Sequence, residues 1–386
     1  MQSSDAYDVD VVRTRSDRSA FIGFPHVLHR HEPLWVPPLR SEQRELMDRG
    51  SHPFYEFGEV QFFLARRGGR VVGRIAAVHN PNHNLFHGSK DGFFGLFDCV
   101  DDPGAAEALF TAAASWLRTR RLVTLLGPVS LSTNYECGVL TEGFGLRPAI
   151  QMPYNPSYYA RLMSGCGFTT AMELLAWELP ATVHENRNLL RLLRSGSDWG
   201  VRIRPLELGN FAAESDLVKE IYNAAWERNW GFSPMTDREF DAMAKRLRPL
   251  LRPGLGVVAE VNGEPAGFAL GVPDFAPALA AANGTLHTWG IPLGLMRLLR
   301  ARRGLDRVRA MVLGVREEYR GRGIELLLGM ELSRAAQRLG YPVIEASWML
   351  ADNYRANRAM KLVGARVIKK YRIYQRPLER LARSPQ

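Results

Sequence analysis

The chain repeats itself. Phe62-Phe-Leu-Ala-Arg-Arg-Gly-Gly-Arg-Val-Val-Gly73 reads as two strands joined by a Gly68-Gly69 turn, and Val257-Val-Ala-Glu-Val-Asn-Gly-Glu-Pro-Ala-Gly267 reads the same way about Asn262-Gly263. Ala65, Gly69 and Gly73 recur as Ala259, Gly263 and Gly267, each 194 positions later. Upstream, Trp35 and Trp230 each close a helical stretch. Downstream, Asn155-Pro156 leads through a short helix to Gly167-Phe168, as Asn353 leads to Gly364-Ala365. Correspondences in one order at nearly one offset imply two copies of a single α/β unit.

Length agrees with doubling. A chain of 386 residues that is 46% hydrophobic can bury two cores. The expected layout is a first unit over 1–180, a basic amphipathic linker helix within 181–200, and a second unit over 201–386. The polar start Met1-Gln-Ser-Ser-Asp-Ala-Tyr-Asp8 resembles no signal peptide, and no apolar run is long enough to span a bilayer. A cytoplasmic protein is expected. Cys99, Cys137 and Cys166 are odd in number and lack CxxC spacing, which argues against a disulfide framework or zinc site. The net charge of +10 favours anionic ligands without choosing among cofactor phosphates, tRNA and acidic surfaces.

The copies differ at one junction. In the second, the strand Arg309-Ala-Met-Val-Leu-Gly-Val315 runs into Arg320-Gly321-Arg322-Gly323, and a helix starts at Ile324. Glycines let successive backbone N–H groups point into one concavity, and the helix N-terminus adds its positive dipole end. A pyrophosphate suits such a cradle. In the first copy the same place carries Asp101-Asp102-Pro103, an ordinary acidic helix start that repels phosphate.

With these residues in hand, the second half resembles the GNAT acyltransferase superfamily. Its loop signature, Arg/Gln-x-x-Gly-x-Gly/Ala, is met at Arg320 and Gly323 and departs at Glu325. A second signature is met by Asn353, Ala356 and Gly364, while Met360 stands where the family often has a tyrosine acid. The resemblance implies an α/β (α+β) fold of two tandem GNAT-like units, with mixed, mostly antiparallel sheets flanked by helices, the first unit degenerate. It also implies acetyl-CoA or a longer acyl-CoA as cosubstrate, held by Leu313, Gly314, Val315, Arg320, Gly321, Arg322, Gly323, Ile324 and Asn353. The backbone of Leu313 to Val315 would stabilise the carbonyl oxygen where the fourth and fifth strands splay apart.

For the base, Glu345 is the first choice. It shares one face of a strand with Val343, Ser347 and Met349, and a carboxylate in an apolar strand suits proton transfer near neutrality. The alternative is a carboxylate paired with an arginine. Tyr354, Tyr371 and Tyr374 are the available acids, of which Tyr371 is carried forward. No metal site is expected: His79, His83 and His87 flank Pro81 in an Asn-rich segment that reads as a loop.

The expected activity is transfer of an acyl group to a small-molecule amine or amino-acid acceptor by direct attack in a ternary complex. Two alternatives stay open: a tRNA-dependent aminoacyl transferase of the peptidoglycan-bridge type, and a non-catalytic CoA-binding protein. DNA is not an expected partner. The basic segment 289–303 could cover the acyl end of the site, touch a membrane surface or bind tRNA, or simply shield an internal apolar seam.

Overall fold

The structure, a computed structural model, describes residues 6–187, 189–190, 200–288 and 290–378. Thirteen strands are assigned: β1 Asp8–Val11, β2 Glu59–Arg67, β3 Arg70–His79, β4 Asp91–Cys99, β5 Thr124–Gly127, β6 Val139–Glu142, β7 Thr169–Pro180, β8 Val201–Pro205, β9 Gly256–Val261, β10 Glu264–Pro273, β11 Arg307–Val315, β12 Val343–Leu350 and β13 Arg366–Pro377. The chain packs as two compact units. One is built from Met1–Glu173, Ala278–Arg300 and Lys370–Gln386, the other from Leu174–Pro277 and Ala301–Lys369.

Within the first unit the strand order is β1-β2-β3-β4-β5-β13, with β6 also paired to β13. Within the second it is β7-β12-β11-β10-β9-β8. Each sheet is antiparallel except for one pair, β4 with β5 and β11 with β12. The last strand of each half thus completes the other unit: β7 pairs with β12, and β13 with β5 and β6.

The repeat has a structural cause. Ala65 pairs with Gly73 and Ala259 with Gly267, each beside a register shift, and both turns hold two residues at positive φ. Gly267 must be small, because a β-carbon there would lie 2.7 Å from the carbonyl oxygen of Gly314.

Each sheet has a helix on each face. In the second unit, Phe211–Trp226 packs Ile221 and Ala225 on Val258 and Phe268, with Leu270 and Val312 beside them. The helix Ile324–Arg338 packs Ile324 and Leu328 on Val257, Ala259, Ala269 and Val315 of the opposite face. In the first unit, Pro103–Arg118 buries Leu109, Phe110 and Ala113 against Phe63, Ile75, Phe94 and Phe97.

Two expectations change. The segment expected as a linker, 181–200, lies in part on residues 188 and 191–199, outside the described residues, and its first five residues form a 3-10 turn, Ala181–Glu185. The histidine segment is a helix, Pro81–His87, not a loop. Pro81 occupies its first turn, where no N–H is needed, with Asn80 as cap and Gly88 as left-handed stop. No helix among the described residues is long and apolar enough to cross a membrane, and no group of three metal-binding side chains is found among them.

Candidate active site

Parallel pairing between β11 and β12 runs only from Arg307 with Val343 to Ala310 with Ala346, although both strands continue for several residues. Beyond that point they separate, leaving one backbone edge of Met311–Val315 without a strand partner. Two irregularities shape the opening. Against β10, the register skips Met311, since Leu270 faces Val312 while Gly271 faces Ala310. Against β7, Ser347 and Trp348 bulge between Ala346 and Met349. The extra residue in β11 brings Val312 and Gly314 onto the face that carries Arg307 and Arg309. Leu313, on the other face, is exposed.

The strand leads through a 3-10 turn, Glu317–Tyr319, into the glycine loop. Gly321 and Gly323 lie at φ 78° and 74°, which only glycine adopts without strain. Gly323 is the N-cap of Ile324–Arg338, and no side chain caps this helix. Its carbonyl accepts from Leu326 and Leu327 N–H, but among the described residues no partner is recorded for the N–H groups of Gly321, Gly323, Ile324 and Glu325. Unmet donors at a helix start with no acidic cap are what an anion requires. The residues therefore fit a pyrophosphate.

The arginines behave differently from each other. Arg320 donates through Nε to the Val315 carbonyl (3.1 Å) and through its terminal nitrogen to the Ala225 carbonyl (2.6 Å), which ties Phe211–Trp226 to the end of β11. Its role is to hold the loop. Arg322 lies over the Tyr319 ring, 5.4 Å from the centroid. Glu325 stands in the first helical turn, half-buried.

Gly314 admits no side chain because the Trp226 indole covers it. Trp226 stacks on Tyr222 with centroids 4.8 Å apart. A mid-strand glycine signals close approach by some group, but the sequence does not say which, and Trp226 was missed for that reason.

Where the strands part, a charged network crosses the sheet. Arg309 donates to the Ser347 carbonyl (3.0 Å) and hydroxyl (3.2 Å), bridging β11 and β12 at the edge of the opening. Glu345, with 1% exposure, accepts from Lys369 at 2.8 Å, and Lys369 is equally buried. Arg307 stands 3.8 Å from Glu345 and donates to Glu178 at 2.7 Å. Burial pushes the Glu178 carboxyl up, but hydrogen bonds from Arg366 and Arg307 outweigh it and hold the group below its ordinary value. Glu345 is thus in an ion pair, with lysine in place of the arginine weighed from sequence. Its other oxygen, Oε1, is buried with no hydrogen-bond partner among the described residues.

The second unit therefore gathers Leu313, Gly314, Val315, Arg320, Gly321, Arg322, Gly323, Ile324 and Glu345 along β11, its loop and β12. Asn353 caps the helix Tyr354–Leu362 by accepting from the Ala356 N–H at 3.2 Å, which explains the Asn-x-x-Ala spacing. Met360 packs against the core that contains Ile344 and Leu332. Tyr371 belongs to the first unit, fully buried on β13 opposite Leu140.

The first unit closes both features with its own atoms. Asp102 accepts from Gly104 and Ala105 N–H at 2.9 and 3.3 Å, filling the helix start that the second unit leaves open. Parallel pairing of β4 and β5 stops at Phe93 with Leu126, and the chain itself enters beyond it. Val129 N–H donates to the Phe94 carbonyl at 2.6 Å, and a β-carbon on Gly95 would lie 2.4 Å from the Val129 oxygen. The same loop carries Glu136. Its carboxyl is pushed up toward about 7, first by the protein around it and then by the charge of Asp98, although Glu136 as a residue is exposed, which screens the effect. Asp98 itself is held by His29 at 2.8 Å and Arg74 at 2.7 Å.

Comparison with known proteins decides the family. Protein YghO of Escherichia coli K12 is 34% identical over 375 residues, covering 95% of each chain. The bacterial ceramide synthase of Caulobacter vibrioides is 34% identical over 373 residues, covering 95% of this chain and 96% of that protein. The chain belongs to their family. Its fold is a tandem GNAT: a tandem GNAT protein from the clavulanic acid biosynthesis pathway matches with a TM-score of 0.57, covering 99% of this chain and all of the other at 14% identity. No protein-family model matches.

Proposed function

We propose that this member of the family is an acyl-CoA-dependent N-acyltransferase whose acceptor is a long-chain amine. One observation carries the cosubstrate: the parting of β11 and β12 leads straight to a helix start whose first N–H groups have no acceptor among the described residues. The acceptor class is supported by one relative, a bacterial ceramide synthase; a ceramide is the amide of a fatty acid and a long-chain amino alcohol. When bound, the acyl-CoA supplies an acyl group activated as a thioester.

The residues of the chain do the rest. N–H groups of the Gly321–Glu325 turn hold the pyrophosphate. The unpaired backbone edge of Leu313–Val315 donates to the carbonyl oxygen as it gains charge. Glu345, anchored through Oε2 by Lys369, receives the amine proton at Oε1 as the C–N bond forms, and returns it to the thiolate released when the C–S bond breaks. No cysteine lies beyond Cys166, so no thiol of the second unit carries the acyl group, and the amine attacks directly.

The test is calorimetry with acetyl-CoA and palmitoyl-CoA, followed by thiol release with sphinganine as acceptor. Binding of an acyl-CoA that Gly323→Val abolishes, with amine-dependent thiol release, is expected. An acyl-CoA that does not bind, or binds the variant equally well, overturns the reading.

A further inference from the structure

The helix Leu293–Ala301 shows solvent an apolar face. Ile291 is 54% exposed, Leu293 41%, Met296 60% and Leu299 41%. Leu293, Met296 and Leu299 are spaced by three, so at 100° per residue they share an arc of roughly 120°. Exposed Arg297 borders that arc beside Leu293, exposed Arg300 lies within it between Leu293 and Met296, and exposed Arg302 and Arg303 follow in the chain. No acidic residue occurs between Asp274 and Asp306.

The opposite side anchors the helix to its own unit. Gly294 is buried so closely that a β-carbon would meet the Thr285 carbonyl oxygen, Leu295 N–H donates to Leu286 at 3.0 Å, and Thr288 bridges to Ile291. The shielding role weighed from sequence therefore accounts for the inner leucines only. The outer row is held out on a fixed support.

We propose that the 291–303 segment docks the protein onto an anionic lipid bilayer, lying in the headgroup plane with Ile291, Leu293, Met296 and Leu299 in the hydrocarbon boundary. Apolar side chains interleaved and flanked with arginines, whose long stems let the charge reach the headgroups, are the chemistry that such an interface takes. A second copy of the helix would bring like charges together, and tRNA offers no apolar surface to the stripe. The inference is independent of the acyl-transfer reading, since it needs neither acyl-CoA nor turnover.

The test is co-sedimentation of the full chain with vesicles of phosphatidylcholine alone or with one quarter phosphatidylglycerol. Binding to the anionic vesicles that weakens as salt rises is expected. Met296→Glu with Leu299→Glu should lower partitioning about 10-fold or more, and Arg297→Ala with Arg300→Ala should remove most of the preference for anionic lipid. Thermal melts of both variants should match the parent, because these side chains are exposed. No binding to anionic vesicles, equal binding by the glutamate variant, a dimer that this variant dissociates, or tighter retention by tRNA than by vesicles would each overturn the proposal.

Discussion

The indole of Trp226 lies directly over Gly314: a β-carbon on the glycine would stand 2.1 Å from Cη2 of the ring. The strand edge assigned to the carbonyl oxygen is thereby braced by an aromatic side chain from the helix on that face. Gly314→Ala should displace the ring and destabilise the fold by about 1–3 kcal/mol, as overpacking does. Adding Trp226→Ala should recover part of this loss, and denaturant unfolding of the two single variants and the double variant measures it. Additive losses would show that ring and glycine are not coupled.

The buried Lys369–Glu345 pair predicts an asymmetry between single and double substitution. Lys369→Met leaves Glu345, at 1% exposure, with only Arg307 at 3.8 Å, and should cost about 3 kcal/mol, seen as a lowered denaturant midpoint. Glu345→Leu with Lys369→Met should restore most of the stability. If Glu345 is the proton acceptor proposed above, turnover should not return. Recovered activity in the double variant would reduce Glu345 to a structural partner.

The contrast between the two units fixes a stoichiometry. With Asp102 filling one helix start and Val129 the neighbouring strand gap, calorimetry should find one acyl-CoA per chain. Asp102→Ala should leave that number unchanged, since the loop still fills the gap. A second equivalent in the parent chain contradicts the assignment.

Acid should loosen the first unit through His26. Burial, then the charges of Arg40 and Arg74, depress its folded pKa from 6.5 to about 4. A base with a depressed folded value contributes stability above its unfolded pKa and loses it as pH falls through the window from 6.5 to about 4. Relative to His26→Gln, the parent should lose about 1–2 kcal/mol between pH 7 and 4.5.

Glu136 predicts the opposite trend. Its folded value, pushed up to about 7, means that stability present below its unfolded value is lost as pH rises through about 7. Glu136→Gln should therefore be more stable than the parent at pH 8 and match it below pH 4. Unfolding curves at the two pH values decide it.

Much of this was legible in the sequence because it rests on local rules. The hairpins follow from Gly68-Gly69 and Asn262-Gly263, and the open helix start follows from glycines where the first copy has Asp102. The rest depends on which segments meet in space. Nothing local to Lys369 says that it faces Glu345, and nothing in Gly95 says that Val129 fills the neighbouring gap. Nothing local to Arg320 says that its guanidinium meets the carbonyls of Val315 and Ala225, which carry no sequence signature. Pro81 misled in the other direction: a proline ends a helix from within but begins one well, and only the Asn80 cap shows which applies.

The exchanged terminal strands make the two halves of the gene product interdependent. As the chain emerges from the ribosome, the first unit can assemble β1 to β5 but has no β13 until the strands of the second unit have been made, so its β5 edge waits open through their synthesis. Cutting the polypeptide near its middle would leave each fragment holding a strand that belongs to the other. A duplication wired in this way resists separation into independent proteins.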